Sequence, residues 1–190
     1  VHVAENSKGE IKGFNASAVV ETVDAKGKDS KTSATWLNCY SFMSPDARGQ
    51  GVWKKLFENQ QESAVKDAEN RGLKIGSFVT EAHGGAEAVF NSVDMCRGYF
   101  IDKNGVYHEA PYKQLPLTWN ERTGNPASGA GVVPEHLMIK MTSGEKKISS
   151  QDFQEMMRGV YRYDNEWDKE DFTNQRAYNK HIGYLEKMEA

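Results

Sequence analysis

The stretch Phe42-Met-Ser-Pro-Asp-Ala-Arg-Gly-Gln-Gly-Val-Trp-Lys-Lys-Leu56 joins a predicted strand to a predicted helix. The strand covers residues 34–43 and is rich in aromatic residues, and the helix runs from about Gly51 to Asn70. The turn between them, residues 48–51, contains two glycines and can bring backbone N–H groups close to a ligand. Unpaired N–H groups and the helix dipole favour an anion at a helix N-terminus. The stretch therefore predicts a phosphate-binding turn, to which Arg48 adds a planar guanidinium.

Further strands are predicted on both sides of this unit. Residues 73–80 follow Gly72, a typical C-cap glycine, and read as a buried parallel strand. A strand, a helix of about twenty residues and a second parallel strand form a crossover unit. Residues 1–5 and 11–21 alternate apolar and polar side chains around a turn, which predicts a hairpin. A polar loop is predicted for residues 22–33.

The segment Pro45-Asp-Ala-Arg-Gly-Gln-Gly-Val-Trp53 resembles motif A of the GNAT superfamily of acyl-CoA-dependent N-acetyltransferases. Arg48 and Gly51 match the first two signature positions, whereas Trp53 stands where the family has Gly or Ala. The N-terminal hairpin is similar to the second and third strands of that fold. The resemblance implies an earlier strand and two helices, which are expected to be missing, permuted or supplied by another chain.

Residues 81–91 resemble motif B of the same superfamily in part. His83 takes the position of the family's Asn, Ala86 keeps the Ala, and Phe90 takes the position of a Tyr. In many family members that Tyr protonates the departing thiolate of coenzyme A, and Phe cannot donate a proton. Tyr99 is the nearest phenol in sequence, and Tyr40 on the motif A strand is another.

The resemblance implies acetyl-CoA as co-substrate, with its pantetheine arm paired to backbone groups of Ser41 and Met43 in a gap between two strands. An N–H near Met43 is expected to polarise the thioester carbonyl. Glu81 or His83 is expected to act as general base, although a strand-end Glu is more often solvated and His83 is equally a cofactor contact. The cofactor-binding residues implied are Ser41, Phe42, Met43, Arg48, Gly49, Gln50, Gly51, Val52, Trp53, Lys54 and Phe90. The catalytic candidates are Glu81, His83 and Tyr99.

The remaining residues predict further strands and a helical end. A strand is expected at 97–101, with an Asn-Gly turn returning to 106–109, and the strand at 136–141 is expected to be the last of the sheet. Residues 107–119 are expected to contribute to acceptor selection. Ser149 or Ser150 is the expected N-cap of a helix over 152–161. A second helix is predicted from 165 to 190, as a packed extension or, given its aromatic residues, as a dimer or partner surface.

Composition and charge favour no nucleic-acid, membrane or metal-binding class. The 190 residues carry a formal net charge of -3, with 38% hydrophobic and 27% charged residues, which gives no reason to expect nucleic-acid or membrane binding. The two cysteines, Cys39 and Cys96, make no disulfide framework and suit a reducing, cytoplasmic compartment. The histidines show no metal-ligand spacing around them, so no metal site is predicted.

The sequence therefore predicts an α/β fold of the GNAT type with a mixed central sheet and a C-terminal helical extension. Residues 1–142 are assigned to the GNAT-like domain and residues 143–190 to the extension. The predicted activity is acetyl transfer from acetyl-CoA to a primary amine by direct attack, with a small molecule or a peptide as acceptor. The alternative is a non-catalytic GNAT-like binding or sensor module.

Overall fold

A computed structural model gives the fold of the chain. It describes residues 1–83, 86–97, 99–101, 106–109, 119–120, 125–126, 135–145 and 148–164. The strands are β1 (His2–Glu5), β2 (Ile11–Val23), β3 (Asp29–Met43), β4 (Lys74–His83), β5 (Cys96–Arg97), β6 (Tyr99–Ile101), β7 (Tyr107–Glu109), β8 (Trp119–Asn120), β9 (Asn125–Pro126), β10 (Glu135–Met141) and β11 (Ile148–Ser149). The helices are α1 (Val52–Asn70), α2 (Glu87–Asn91) and α3 (Ser150–Asp164), and Pro45–Ala47 form a 3₁₀ turn.

A mixed sheet with the strand order β1-β2-β3-β4-β10-β5 forms the centre of the molecule. Strands β3 and β4 are parallel and are joined by α1, whereas the other neighbouring pairs are antiparallel. Two smaller sheets, β11-β6-β7 and β8-β9, lie outside it. The predicted α/β architecture, with its N-terminal hairpin and strand–helix–strand crossover, is confirmed.

The hairpin of β2 and β3 is longer than the sequence predicts. The expected polar loop at 22–33 is wrong in extent, since β2 continues to Val23 and β3 already begins at Asp29. Asp24 closes the turn: its Oδ1 accepts hydrogen bonds from the backbone N–H groups of Lys26 and Lys28, at 2.8 and 2.9 Å. Because this side chain satisfies the turn, the backbone ladder extends into residues that look like a loop.

Strand β4 also extends further than predicted, to His83 rather than Thr80, because β10 continues to pair with it through Glu135 opposite His83. Glu81 and His83 therefore lie on the strand, not in the connection after it. Among the described residues, β10 is the last strand of the central sheet along the chain, as predicted, and β5 pairs with its outer edge. The strand expected at 97–101 is divided between β5 in the central sheet and β6 in a small one; β6 pairs with β7 as the Asn-Gly turn predicts.

The two parallel strands separate towards their C-terminal ends. Their pairing stops at Asn38 opposite Thr80, although β3 runs on to Met43 and β4 to His83. At the same place β3 carries a bulge, because Asn38 and Tyr40 lie opposite consecutive residues of β2 and Cys39 is the extra residue. A bulge bends and twists its strand. Beyond it β3 follows β2 and β4 follows β10, which leaves a gap between them.

In the described residues, α1 and the short α2 cover one face of the central sheet and α3 covers the other. On the α1 face the buried apolar cluster includes Trp36, Phe57 and Phe78. On the α3 face, Phe153, Met156, Met157, Val160 and Tyr161 pack with sheet residues such as Val20, Leu37 and Val79. Helix α3 therefore shares a core with the sheet, and the boundary at 142/143 stays a prediction.

Helix α3 begins where the sequence predicts. Ser149 is its N-cap: its Oγ accepts a hydrogen bond from the Asp152 N–H at 3.1 Å and donates one to Asp152 Oδ2 at 2.7 Å. The predicted helix at 165–190 and most of the segment at 107–119 lie outside the described residues. In the described part of the chain, no helix combines the length and the apolar character that crossing a membrane requires.

Candidate functional site

A groove with a volume of about 610 Å³ lies on the α1 face, where β3 and β4 separate. It is formed by the end of β3, the turn after it, the first turn of α1, and α2. Its lining is mostly apolar, with a charged rim at the turn. The residues that line it are Ser41, Phe42, Met43, Ala47, Arg48, Gly49, Gly51, Val52, Trp53, Lys54, Ala86, Val89, Phe90 and Ser92.

The turn before α1 is held by Asp46. Ser44 Oγ donates a hydrogen bond to Asp46 Oδ1 at 2.6 Å, and Lys12 Nζ donates to Asp46 Oδ2 at 2.9 Å. The Asp46 backbone carbonyl accepts a hydrogen bond from Gln50 Nε2 at 2.8 Å. The Ser44 hydrogen bond, followed by the Lys12 ammonium, lowers the pKa of the Asp46 carboxyl. The turn is therefore tied to β2 and to its own side chains.

Two glycines shape the rim of the groove. Gly49 and Gly51 both have φ of +74°, a left-handed conformation that non-glycine residues adopt at a cost. Gly51 is the N-cap of α1, so no side chain caps the helix, and the first turn contains no acidic residue. Uncapped N–H groups at the positive end of the helix dipole favour an anionic ligand.

Arg48 links the turn to β3. Its Nε donates a hydrogen bond to the Met43 carbonyl at 3.1 Å, and the side chain is otherwise exposed at the rim of the groove. This contact fixes the direction of the guanidinium through one of its nitrogens. The two terminal nitrogens give a fork that matches two phosphate oxygens.

The backbone of β3 faces the gap at two positions. The Ser44 N–H donates to the Lys12 carbonyl on β2 at 2.8 Å. Because successive residues of a strand direct their N–H and C=O groups to opposite sides, Ser41 and Met43 direct theirs away from β2, towards the gap. These are the two residues whose backbone groups are expected to pair with a pantetheine arm.

Buried polar side chains mark the point where the strands separate. Asn38, 5% exposed, donates from Nδ2 to Thr80 Oγ1 on β4 at 3.1 Å and to Ser41 Oγ at 3.2 Å. Ser41 Oγ in turn donates to Oδ1 of the fully buried Asn15. Gln60 of α1 donates from Nε2 to the Asn15 carbonyl at 3.1 Å. Sequence reasoning missed this cluster, although a polar Asn within the apolar run of β3 was a usable signal.

Trp53 forms part of the wall of the groove. Its ring stacks on Phe57, with centroids 4.9 Å apart, and meets Phe90 edge-on at 5.7 Å. The side chain is half-buried against the α1-face core. The Trp53 ring is thus packed into the aromatic cluster.

The groove brings together the predicted cofactor residues except Gln50, whose side chain bonds within the turn. Glu81 lies half-buried on β4. Its neighbours Phe78 and Ala82 pack on the α1 face and Val79 on the α3 face, so alternation places Glu81 on the α3 face. The backbones of His83 and Tyr99 lie on β4 and on β6 of a small sheet, and their side chains lie outside the described residues.

Comparisons with known proteins give structural neighbours. No family model and no curated protein matches the sequence. Among solved structures, Naa20 from Chaetomium thermophilum, crystallised with a bisubstrate analogue, aligns at 16% identity over 77% of this chain and 74% of its own, with a TM-score of 0.46. The GNAT family N-acetyltransferase YhbS from Escherichia coli, crystallised with CoA, aligns at 13% identity over 77% of this chain and 64% of its own, with a TM-score of 0.41. The chain is thus similar over about three quarters of its length to these two solved structures.

Proposed function

We propose that the protein is an acetyl-CoA-dependent N-acetyltransferase acting on a primary amine. The observation that carries the proposal is the gap between β3 and β4, which opens beside an uncapped helix N-terminus with two left-handed glycines. An extended arm with amide groups suits the backbone of β3, and a pyrophosphate suits the turn. One groove holds both features.

The cofactor would lie along the groove with its pyrophosphate at the turn. The backbone N–H groups at residues 51–54 would receive the phosphate oxygens, with Arg48 and Lys54 at the rim. The pantetheine arm would pair with Ser41 and Met43. The aromatic packing of Trp53 supports this placement, because its ring forms a wall of the groove.

The chemistry proposed is direct attack of the amine nitrogen on the thioester carbonyl carbon. The Met43 N–H, directed to the gap, would stabilise the developing oxyanion. The proton released by the amine would pass to Glu81, directly or through water. As the C–S bond breaks, the thiolate leaves and takes a proton from solvent, since Phe90 lines the groove without a hydroxyl group.

A non-catalytic acyl-CoA-binding module is the second candidate. Phe90 favours it, since this side chain stands in the groove where the family has a proton donor. Both candidate functions would use the same groove and the same turn to bind the cofactor. Amine turnover distinguishes them, because a sensor would bind the cofactor without releasing thiol.

Two further parts of the proposal concern its setting. A small-molecule or peptide amine is the proposed acceptor, and a homodimer stays a prediction. The cytoplasm is the proposed compartment, and it is supported by Cys39 and Cys96, which form no disulfide with each other.

Calorimetric titration with acetyl-CoA tests the proposal, with Arg48→Ala and Gly51→Glu beside the wild type. We expect micromolar binding that Arg48→Ala weakens about tenfold or more and Gly51→Glu abolishes. Free-thiol release with a panel of primary amines then tests turnover. Absence of binding in the wild type would refute the cofactor assignment, and binding without turnover on any amine would favour the sensor module.

A further inference from the structure

Phe14 of β2 pairs with the C-terminal end of β3, which carries Tyr40 and Phe42; we call these three residues the aromatic shelf. Tyr40 is 71% exposed and Phe42 is 48% exposed. Phe14 lies directly opposite Phe42 on β2, and their rings stack with centroids 5.8 Å apart and an interplanar angle of 28°. Large apolar side chains exposed together commonly mark a binding surface.

The shelf lies on the α3 face of the sheet. Ala18 and Val20 of β2 pack with the α3-face core, and alternation places Phe14 on the same face. Tyr40 lies opposite Ala16 and Phe42 lies opposite Phe14, and paired residues share a face of the sheet. The bulge at Cys39 therefore places Tyr40 and Phe42 on the α3 face as well. Ser41, in contrast, contacts Asn15 on the groove side. The shelf begins where the packing of α3 against Ala18 and Cys39 ends.

The shelf and the groove meet through the gap. Phe42 belongs to the shelf and also lines the groove. Glu81 lies on the α3 face, on the strand across the gap. A carboxylate and an exposed aromatic surface therefore share one face of the opening, while the groove opens on the other.

We propose that the aromatic shelf binds the apolar part of the acceptor, so that the preferred substrate is a primary amine bearing an aryl group. This rests on the proposed function. The Glu81 carboxylate gives the amine end a charge complement, and the shelf gives the aryl end a stacking surface. A second copy of the chain fits less well, because three aromatic side chains bury about 150–250 Å² each at most, and two of these are already partly covered. A stable dimer needs roughly 800 Å² from each partner.

Acetyl transfer to 2-phenylethylamine and to ethylamine, measured as free-thiol release, tests the inference. Both are primary amines on a methylene carbon, and 2-phenylethylamine carries a phenyl ring that ethylamine lacks. We expect kcat/KM to be about tenfold or more higher for 2-phenylethylamine, because covering a ring contributes at least that factor. Tyr40→Ala should raise KM for 2-phenylethylamine about tenfold and leave that for ethylamine unchanged, whereas Tyr40→Phe should resemble the wild type.

Ile11→Ala is the matched control, since Ile11 is a 60% exposed apolar residue of β2 outside the shelf. It should leave both KM values unchanged. Three results would overturn the inference and leave the cofactor site in place. They are equal kcat/KM for the two amines, an unchanged KM for 2-phenylethylamine in Tyr40→Ala, and acetyl-CoA binding with no turnover of either amine. Absence of acetyl-CoA binding by calorimetry would overturn the proposed function, and this inference with it.

Discussion

Trp53 and Phe90 meet edge-to-face, with ring centroids 5.7 Å apart and an interplanar angle of 75°. At both positions the sequence differs from the GNAT motifs that it resembles, and the two residues belong to α1 and α2, which both line the groove. The two unusual residues therefore pack against each other in one aromatic cluster. A large ring at residue 53 fills the space beside an apolar ring at residue 90, and Phe57 completes the cluster.

The contact predicts energetic coupling between the two positions. Urea unfolding of Trp53→Ala, Phe90→Ala and the double variant should give a coupling free energy of about 0.5–1.5 kcal/mol, the usual value for an aromatic pair beyond its area burial. Phe14 lies on the other face of the sheet and serves as control. Trp53→Ala and Phe14→Ala should be additive, and additivity in the Trp53/Phe90 cycle would contradict the prediction.

Gly51 and Gly72 form a matched pair for testing the turn. Both have left-handed φ angles, +74° and +73°, and a Cβ at either would meet open space. Alanine at each should therefore cost a similar strain of about 1–2 kcal/mol. Gly51 lines the groove and Gly72 follows the far end of α1. Acetyl-CoA affinity should fall in Gly51→Ala and stay unchanged in Gly72→Ala; equal affinities would place the anion site elsewhere.

Local signals in the sequence predicted the fold well where one residue decides the structure. The left-handed Gly72 after the C-cap of α1 and the N-cap at Ser149 both depend on contacts within a few residues. The extent of β2, β3 and β4 was wrong because pairing with a distant strand decides where a strand ends. The continuation of β4 to His83 depends on β10, some fifty residues later.

In the candidate site, too, the sequence predicts what depends on neighbouring residues and misses what depends on distant strands. The groove residues from Ser41 to Lys54 form one contiguous segment, so a motif finds them. The cluster of Asn15, Asn38 and Thr80 comes from three strands, and the face on which Glu81 lies depends on strand alternation across the sheet. Neither follows from local spacing.

Asn38 is predicted to set the opening between β3 and β4. Asn38→Leu removes the hydrogen bonds to Thr80 and Ser41, and should cost about 1–3 kcal/mol of unfolding free energy. Thr35→Val is the control, because Thr35 Oγ1 donates to the Ser77 carbonyl at 3.0 Å between the same two strands, three residues before the gap. Calorimetry with acetyl-CoA should show an affinity loss of about tenfold in Asn38→Leu and none in Thr35→Val. An equal loss in both would indicate a general effect of stability.

The turn at Asp46 predicts a specific pH dependence of stability. Hydrogen bonds from Ser44 and Lys12 lower the pKa of Asp46 from its ordinary value of 3.8, so its contribution to stability is present above that value and is lost as the pH falls through the lowered pKa. Hydrogen bonds to Asp46 and Glu10 raise the pKa of Lys12 from 10.5, so the contribution of Lys12 is present below that value and is lost as the pH rises through the raised pKa.

Urea unfolding of the wild type and Asp46→Asn between about pH 2 and pH 7 measures the acid limb. Asp46→Asn should be less stable than the wild type near neutral pH, and the difference should shrink as the solution is acidified through the lowered pKa. Glu62→Gln removes an exposed carboxylate from α1 and controls for net charge. A difference between Asp46→Asn and the wild type that stays constant across this range would mean that the charge of Asp46 does not stabilise the turn.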